Sequence, residues 1–135
     1  MAVYAIADLH LPARQKPMDV FGEHWKDHFL RIRQDWLARV RPEDLVLLPG
    51  DLSWAMRLEE AVEDLNSIAA LPGQKILLRG NHDYWWSSIG RVRRALGEGV
   101  YALQNDSLLI NGRLYAGTRG WTIPPPDSDP DDARI

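Results

Sequence analysis

The chain has 135 residues, of which 45% are hydrophobic and 26% charged, with a formal net charge of −3 and no cysteine. This composition is typical of a single soluble globular domain, and the lack of cysteine excludes a disulfide framework and a thiolate metal site. The charge gives no general attraction to nucleic acid, and no apolar run approaches the roughly 20 residues that a membrane-spanning helix needs. No basic leader precedes the first acidic residue, so we expect a cytoplasmic protein without a membrane partner.

Three short apolar runs predict the strands of a buried parallel sheet. The runs cover residues 3–7, 45–48 and 76–78. Between the first two, apolar residues recur at steps of three and four, which predicts a long helix that begins near Asp19 and ends before Pro42. A second pattern of this kind runs from Leu58 to Ala69 and stops at Pro72. The order βαβαβ is typical of an α/β fold.

After a short third helix predicted around Val92, the pattern changes to that of an antiparallel ribbon. Residues 107–110 and 113–116 flank Asn111-Gly112, which is the strongest two-residue hairpin signal because both turn positions tolerate a positive φ. From Pro124 onward, proline and aspartate leave too little apolar surface to offset the entropy of ordering. We therefore predict a domain over residues 1–123 and a mobile tail over residues 124–135.

Polar side chains follow each of the three predicted strands. They occur in the segments Asp8-Leu9-His10, Gly50-Asp51 and Gly80-Asn81-His82-Asp83. In open α/β sheets, ligands bind beyond the carboxyl ends of the strands, so these segments can converge on one point. Carboxylate, amide and imidazole ligands together suit manganese, iron or zinc, and a shared carboxylate can hold two such ions about 3.5–4 Å apart.

Within these segments, two residues have the most specific expected roles. Asp51 is the candidate bridging ligand, because Gly50 allows the sharp turn that lets the carboxylate reach inward. His82 follows a candidate ligand directly, and because an imidazole in general can gain and lose a proton near neutral pH, it is the candidate catalytic group that protonates a leaving oxygen.

The order D-x-H, G-D and G-N-H-[DE], each after a strand, resembles the signature of the calcineurin-like metallophosphoesterase superfamily. The resemblance implies that Asp8 and His10 bind one metal, Asp51 bridges two, Asn81 binds the second and His82 assists at the leaving group. It also implies an α/β/β/α sandwich that begins with βαβαβ. The activity implied is hydrolysis of a phosphate mono- or diester by metal-activated hydroxide, with two divalent manganese, iron or zinc ions. The segment from Gly80 to Trp86 is also similar to a bacterial group of predicted phosphohydrolases.

The sequence departs from the family pattern in two places. The superfamily completes its site with later histidines, whereas the four histidines here are His10, His24, His28 and His82. The resemblance thus covers the front part of a family domain, and we expect a truncated chain that binds two ions or only one. In protein phosphatases of the family, the G-D segment is part of a longer motif, G-D-x-x-D-R-G. Here Trp54 and Ala55 replace the second aspartate and the arginine of that motif. Protein phosphatase activity is therefore not expected.

Two alternatives to an active enzyme follow from these observations. The first is a catalytically incomplete portion or non-catalytic subunit, whose open sheet face is covered by a second copy or another protein. The second is a nucleotide-binding module of another class. It lacks support because neither G-x-x-x-x-G-K-[ST] nor G-x-G-x-x-G follows any predicted strand.

The roles of several residues near these segments stay open at the level of sequence. Asp83 either orients His82 or caps the next turn. Arg79 and Arg119 are either phosphate contacts or surface arginines.

The aromatic residues Trp54 and Tyr84-Trp85-Trp86 either form a wall beside the leaving group or pack in the core. His24 and His28 have the i, i+4 spacing of a shared metal site, although the edge of a helix is the expected location for both.

Overall fold

The computed structural model describes residues 1–12 and 27–119 and contains a four-stranded, wholly parallel sheet. Its strands in spatial order are β1 (Val3–Ala5), β2 (Leu45–Leu48), β3 (Gln74–Leu77) and β4 (Val100–Ala102). Three helices alternate with them: α1 (His28–Arg39), α2 (Leu58–Ala69) and α3 (Ile89–Ala95). The predicted α/β class and the βαβαβ order are confirmed.

A separate antiparallel hairpin follows the sheet. It consists of β5 (Asp106–Ile110) and β6 (Arg113–Gly117). The two turn residues, Asn111 and Gly112, have φ values of 49° and 80°, as a tight two-residue turn requires. The predicted hairpin is thus confirmed. The predicted tail over residues 124–135 lies outside the described residues.

The two faces of the sheet are covered differently. One face carries the main core, in which Val46 and Leu77 of the sheet pack with helix residues such as Trp36, Leu65 and Val92. The other face carries a smaller cluster of four buried side chains. These are Leu45, Ile76, Leu103 and Ile110. The helices therefore cover one face, and the hairpin covers only part of the other.

Three details differ from the sequence-based expectations. Strand β1 is shorter than predicted and exposed at Val3 and Ala5, whose pairing with Leu45 and Leu47 puts them on the face that the hairpin covers only in part. Helix α1 begins at His28, directly after Asp27. Asp27 has a left-handed φ of 55°, which is incompatible with a continuous right-handed helix through this position. The predicted start at Asp19 lies outside the described residues. Strand β4 was not predicted, although its residues begin the short apolar run 100–103.

No helix among the described residues is both long and apolar enough to cross a lipid bilayer.

Candidate metal centre

The loops after β1 and β2 run side by side beyond the sheet. The backbone N–H of Asp8 donates to the carbonyl of Gly50 at 3.0 Å, and the N–H of His10 donates to the carbonyl of Asp51 at 3.0 Å. The intervening Leu9 is only 1% exposed, so it anchors the loop in the core and leaves its two neighbours on the opposite side. With Leu9 buried between them, Asp8 and His10 lie on the side of the loop that faces Asp51.

All three of these candidate ligands have left-handed backbone. The φ values of Asp8, His10 and Asp51 are 60°, 45° and 53°. This region is unfavourable for residues with a Cβ, and non-glycine residues held there cluster at functional sites. The fold therefore imposes a backbone strain at the three positions where the sequence predicts metal ligands.

Two glycines bring the second and third loops into contact. Gly50 has a φ of 119°, and a Cβ added to it would lie 2.7 Å from the Cα of Gly80. A Cβ added to Gly80 would lie 2.2 Å from both the backbone nitrogen and Oδ1 of Asp51. The expected turn at Gly50 is therefore present. The sequence analysis missed the role of Gly80, which makes room for the Asp51 carboxylate.

The Asp51 carboxylate lies at the centre of the site. It is 6% exposed, and its Oδ2 lies 3.8 Å from Nε2 of His10, which in turn is 3.9 Å from Oδ1 of Asp8. These separations are too long for hydrogen bonds. Two ligand atoms that each lie about 2.1 Å from the same ion can be at most about 4.2 Å apart. Both separations are shorter than this limit. One ligand atom from each of Asp8, His10 and Asp51 lies within 4.8 Å of the others.

The side-chain amide of Asn81 presents one end to both carboxylate oxygens of Asp51, at 3.2 Å. With its nitrogen at that end, the amide donates hydrogen bonds to the carboxylate. With its oxygen there, three acceptor oxygens face one another, and only a cation between them would stabilise that arrangement. The amide can therefore pair with Asp51 directly or share a cation with it. This donor set of oxygens and one imidazole nitrogen fits a divalent metal.

His82 contacts the same carboxylate from the third loop. Its backbone N–H donates to Oδ1 of Asp51 at 2.8 Å, and its Nδ1 lies 3.0 Å from Oδ2. The His82 side chain is 40% exposed, so it faces solvent as well as the carboxylate. The expected convergence of His10, Asp51, Asn81 and His82 is thus seen in the geometry.

Two pKa shifts favour the charge states that metal binding requires. Burial by itself raises the pKa of the Asp51 carboxyl, but the hydrogen bonds from the His82 side chain and backbone outweigh it, and the pKa is lowered. Burial lowers the pKa of the His10 imidazole, although the charges of Asp51 and Asp8 oppose that shift. An ionised carboxylate and a neutral imidazole are the ligand forms of these side chains.

A family model described as calcineurin-like phosphoesterase matches residues 1–128. The chain belongs to this phosphoesterase family. A crystal structure of a protein of unknown function from Aquifex aeolicus is similar to this phosphoesterase chain, with a TM-score of 0.53 and 24% sequence identity. The match covers 84% of this chain and 58% of that chain, and at this identity it supports the fold alone. No curated protein matches the sequence significantly.

The buried carboxylate of Asp83 joins the second and third loops of this phosphoesterase domain. It is 1% exposed. It accepts N–H groups from the backbone of Gly80 at 2.7 Å and of Asp51 and Leu52 at 2.8 Å, and from the indole of Trp85 at 2.9 Å. Burial raises the pKa of the Asp83 carboxyl, and the surrounding N–H donors oppose the shift. These contacts show a third role that the sequence analysis did not consider, which is to clamp the loop that carries Asp51.

Among the other predicted site residues, Trp54 contacts a candidate ligand directly. Its ring stacks on His10 with centroids 4.6 Å apart and an interplanar angle of 23°.

Arg79 is half-buried after β3. Burial lowers the pKa of Arg119, and the positive charge of Arg79 lowers it further.

His28 supports the site from behind. Its Nε2 lies 2.7 Å from the carbonyl oxygen of Leu9, so this nitrogen donates to the loop between Asp8 and His10. That hydrogen bond places His28 at the loop backbone instead of among the ligands, which agrees with the expected helix edge. His24 lies outside the described residues.

Proposed function

We propose that this chain is a metal-dependent phosphoesterase that hydrolyses a phosphate mono- or diester. The observation that carries the proposal is the convergence on one buried carboxylate. His10, Asn81 and His82 each present a polar atom within 3.8 Å of Asp51. Membership of the calcineurin-like phosphoesterase family supports the same class of reaction.

In this proposal, Asp8, His10, Asp51 and Asn81 are the metal ligands. Asp8, His10 and Asp51 form the first site, and Asn81 joins Asp51 at a second. The mixed oxygen and nitrogen set suits manganese, iron or zinc. Bound divalent ions would supply Lewis-acid activation of the phosphate and of a water molecule.

His82 is the proposed catalytic residue. Its Nδ1–H donates to the ionised Asp51 carboxylate at 3.0 Å, which selects the tautomer with an unprotonated Nε2. When the ring carries a second proton, Nε2–H can donate to the leaving oxygen. The partial exposure of the ring lets a substrate reach it. A cytoplasmic location stays a prediction from the sequence.

The experiment is hydrolysis of an aryl phosphate diester and monoester by the purified chain, with and without manganese. Asp51→Ala should abolish manganese-dependent turnover, lowering it more than about 100-fold, because one residue contributes to both sites. Asp35→Ala is the matched control, since this exposed carboxylate pairs with Arg39 on the surface of α1.

Metal affinity, measured by isothermal titration calorimetry, provides the second readout. Asp51→Ala should weaken manganese binding, and Asp35→Ala should leave it unchanged. If Asp51→Ala binds manganese as tightly as the unmodified chain while remaining folded, the proposed centre is wrong. If the unmodified chain binds manganese but hydrolyses neither ester, the residues form a metal site without activity in this chain.

The second candidate function is a non-catalytic subunit that acts through association, with a second copy as the simplest partner. Exposed leucines on the hairpin favour it: Leu109 and Leu114 are 65% and 69% exposed and face each other across β5 and β6. Size-exclusion chromatography with light scattering distinguishes this associating subunit from a monomeric enzyme. A monomer at all concentrations would exclude self-association as the function.

A further inference from the structure

The structure distinguishes core residues from exposed ones among the four aromatic residues for which the sequence left both locations open. Trp85 and Trp86 are 1% and 4% exposed, and their indole N–H groups donate to Asp83 and Gln104, both at 2.9 Å. They are core residues. Tyr84 is 52% exposed, although it immediately precedes this buried pair.

Tyr84 and Trp54 both contact the His82 ring. The Trp54 and His82 centroids are 5.6 Å apart at 54°, and the His82 and Tyr84 centroids are 6.1 Å apart at 88°. We call Trp54, His82 and Tyr84 the aromatic rim. Its members come from the second and third loops, so the same contacts that assemble the candidate metal centre also assemble the rim.

The rim lies beside the group that would donate a proton to the leaving oxygen. A leaving group that contains a planar ring could lie against the exposed Tyr84 or the half-buried Trp54, because aromatic rings attract one another in offset and edge-to-face arrangements. An aliphatic group of equal size would gain only the burial of its surface. A rim of this kind would distinguish substrates by the planarity of the leaving group, while the phosphate would contact the charged residues.

We propose that the aromatic rim binds the planar ring of an aromatic phosphate ester and so selects aromatic over aliphatic substrates. This inference rests on the proposed phosphoesterase function, because it takes His82 to face the leaving group. The ring is either an aryl group close to the phosphate or a nucleobase held further from it.

The test uses phosphonates, whose C–P bond is not a phosphate ester, so that binding is measured without turnover. Benzylphosphonate and cyclohexylmethylphosphonate have the same charge and similar size but differ in planarity. With the manganese-loaded chain, calorimetry should give about 3- to 10-fold tighter binding of benzylphosphonate. Tyr84→Phe should keep this preference, whereas Tyr84→Ala should bring the ratio of the two affinities close to one.

A second pair distinguishes the two sources of the ring. If 9-(2-phosphonoethyl)adenine exceeds a saturated bicyclic phosphonate of similar size, 2-(decahydronaphthalen-1-yl)ethylphosphonate, in affinity by a larger factor than benzylphosphonate exceeds its partner, the ring is a nucleobase. The reverse order assigns an aryl group. Leu109→Ala is the matched control, since this exposed side chain lies on the hairpin; it should leave both ratios unchanged.

Equal affinities within both pairs, binding of none of the four phosphonates, or a preference that survives Tyr84→Ala would each overturn the proposal. Failure of the proposed function gives a different result. In that case the chain hydrolyses no ester, while the preference for planar phosphonates and its loss in Tyr84→Ala are still observed.

Discussion

The buried carboxylate of Asp83 accepts the backbone N–H of Asp51 at 2.8 Å, although 32 residues separate the two in the chain. The same carboxylate accepts the N–H of Gly80 in its own loop. One side chain thus fixes the distance between the loop that carries Asp51 and the loop that carries Asn81 and His82. The geometry of the candidate metal centre depends on this buried contact as much as on the ligands.

Asp83→Asn should weaken manganese binding about 10- to 100-fold, because the ligand positions depend on the residues that hold them. Its amide NH₂ would face N–H donors, so the free energy of unfolding should also fall by about 2–4 kcal/mol. Calorimetry and urea denaturation measure the two effects. Asp35→Asn is the surface control. Unchanged metal affinity in a folded Asp83→Asn protein would show that the clamp does not position the ligands.

Gly80→Ala should displace the Asp51 carboxylate, since the new Cβ would lie 2.2 Å from its Oδ1. Such overpacking should lower the free energy of unfolding by about 1–3 kcal/mol and weaken manganese binding. Gly90→Ala is the matched control, because its Cβ would lie 3.5 Å from Nη1 of Arg94. That variant should bind manganese normally and gain up to about 1 kcal/mol from better helix propensity. Equal metal affinities in the two variants would contradict the steric argument.

Manganese should stabilise the folded chain, because the ligands converge only in the folded state. At a free concentration 100 times the dissociation constant, the free energy of unfolding should rise by about 2.7 kcal/mol. Thermal unfolding followed by circular dichroism should show the increase, and EDTA should reverse it. Asp51→Ala should show no such shift; a similar shift in that variant would place the bound manganese elsewhere.

Asp44 should contribute stability that depends on pH. Hydrogen bonds from the backbone N–H groups of Arg41 and Ala2 lower the pKa of its carboxyl. Because the folded pKa lies below the unfolded value of about 3.9, the contribution is complete above that value and disappears as the pH falls through the folded pKa.

The free energy of unfolding of the unmodified chain and of Asp44→Asn, measured from pH 7 to pH 3, checks this sign. The difference between them should be largest above about pH 5 and should shrink below about pH 4. A difference that grows on acidification would show that the folded pKa is raised instead.

Local patterns were sufficient to predict most of the strands and helices and to select candidate ligands. Apolar runs and helical spacing predicted β2, α2 and the hairpin because these signals depend on neighbours in sequence. The D-x-H and G-N-H-D segments predicted Asp8 and Asn81 as candidate ligands from residue types and their order after the strands. Strand β4 was missed, although its apolar run 100–103 is as long as the run that predicted β2.

Contacts between distant segments decided the rest. Burial distinguishes Trp85 from Tyr84, although the two are adjacent, because it depends on what the remainder of the fold packs against each side chain. The room that Gly80 leaves for Asp51 and the clamp by Asp83 arise only when two loops separated by about thirty residues meet. The sequence by itself determined which chemical groups this protein has and the order of its strands and helices. The tertiary structure decided which of those groups share one site, because convergence depends on distances in space that a local pattern does not contain.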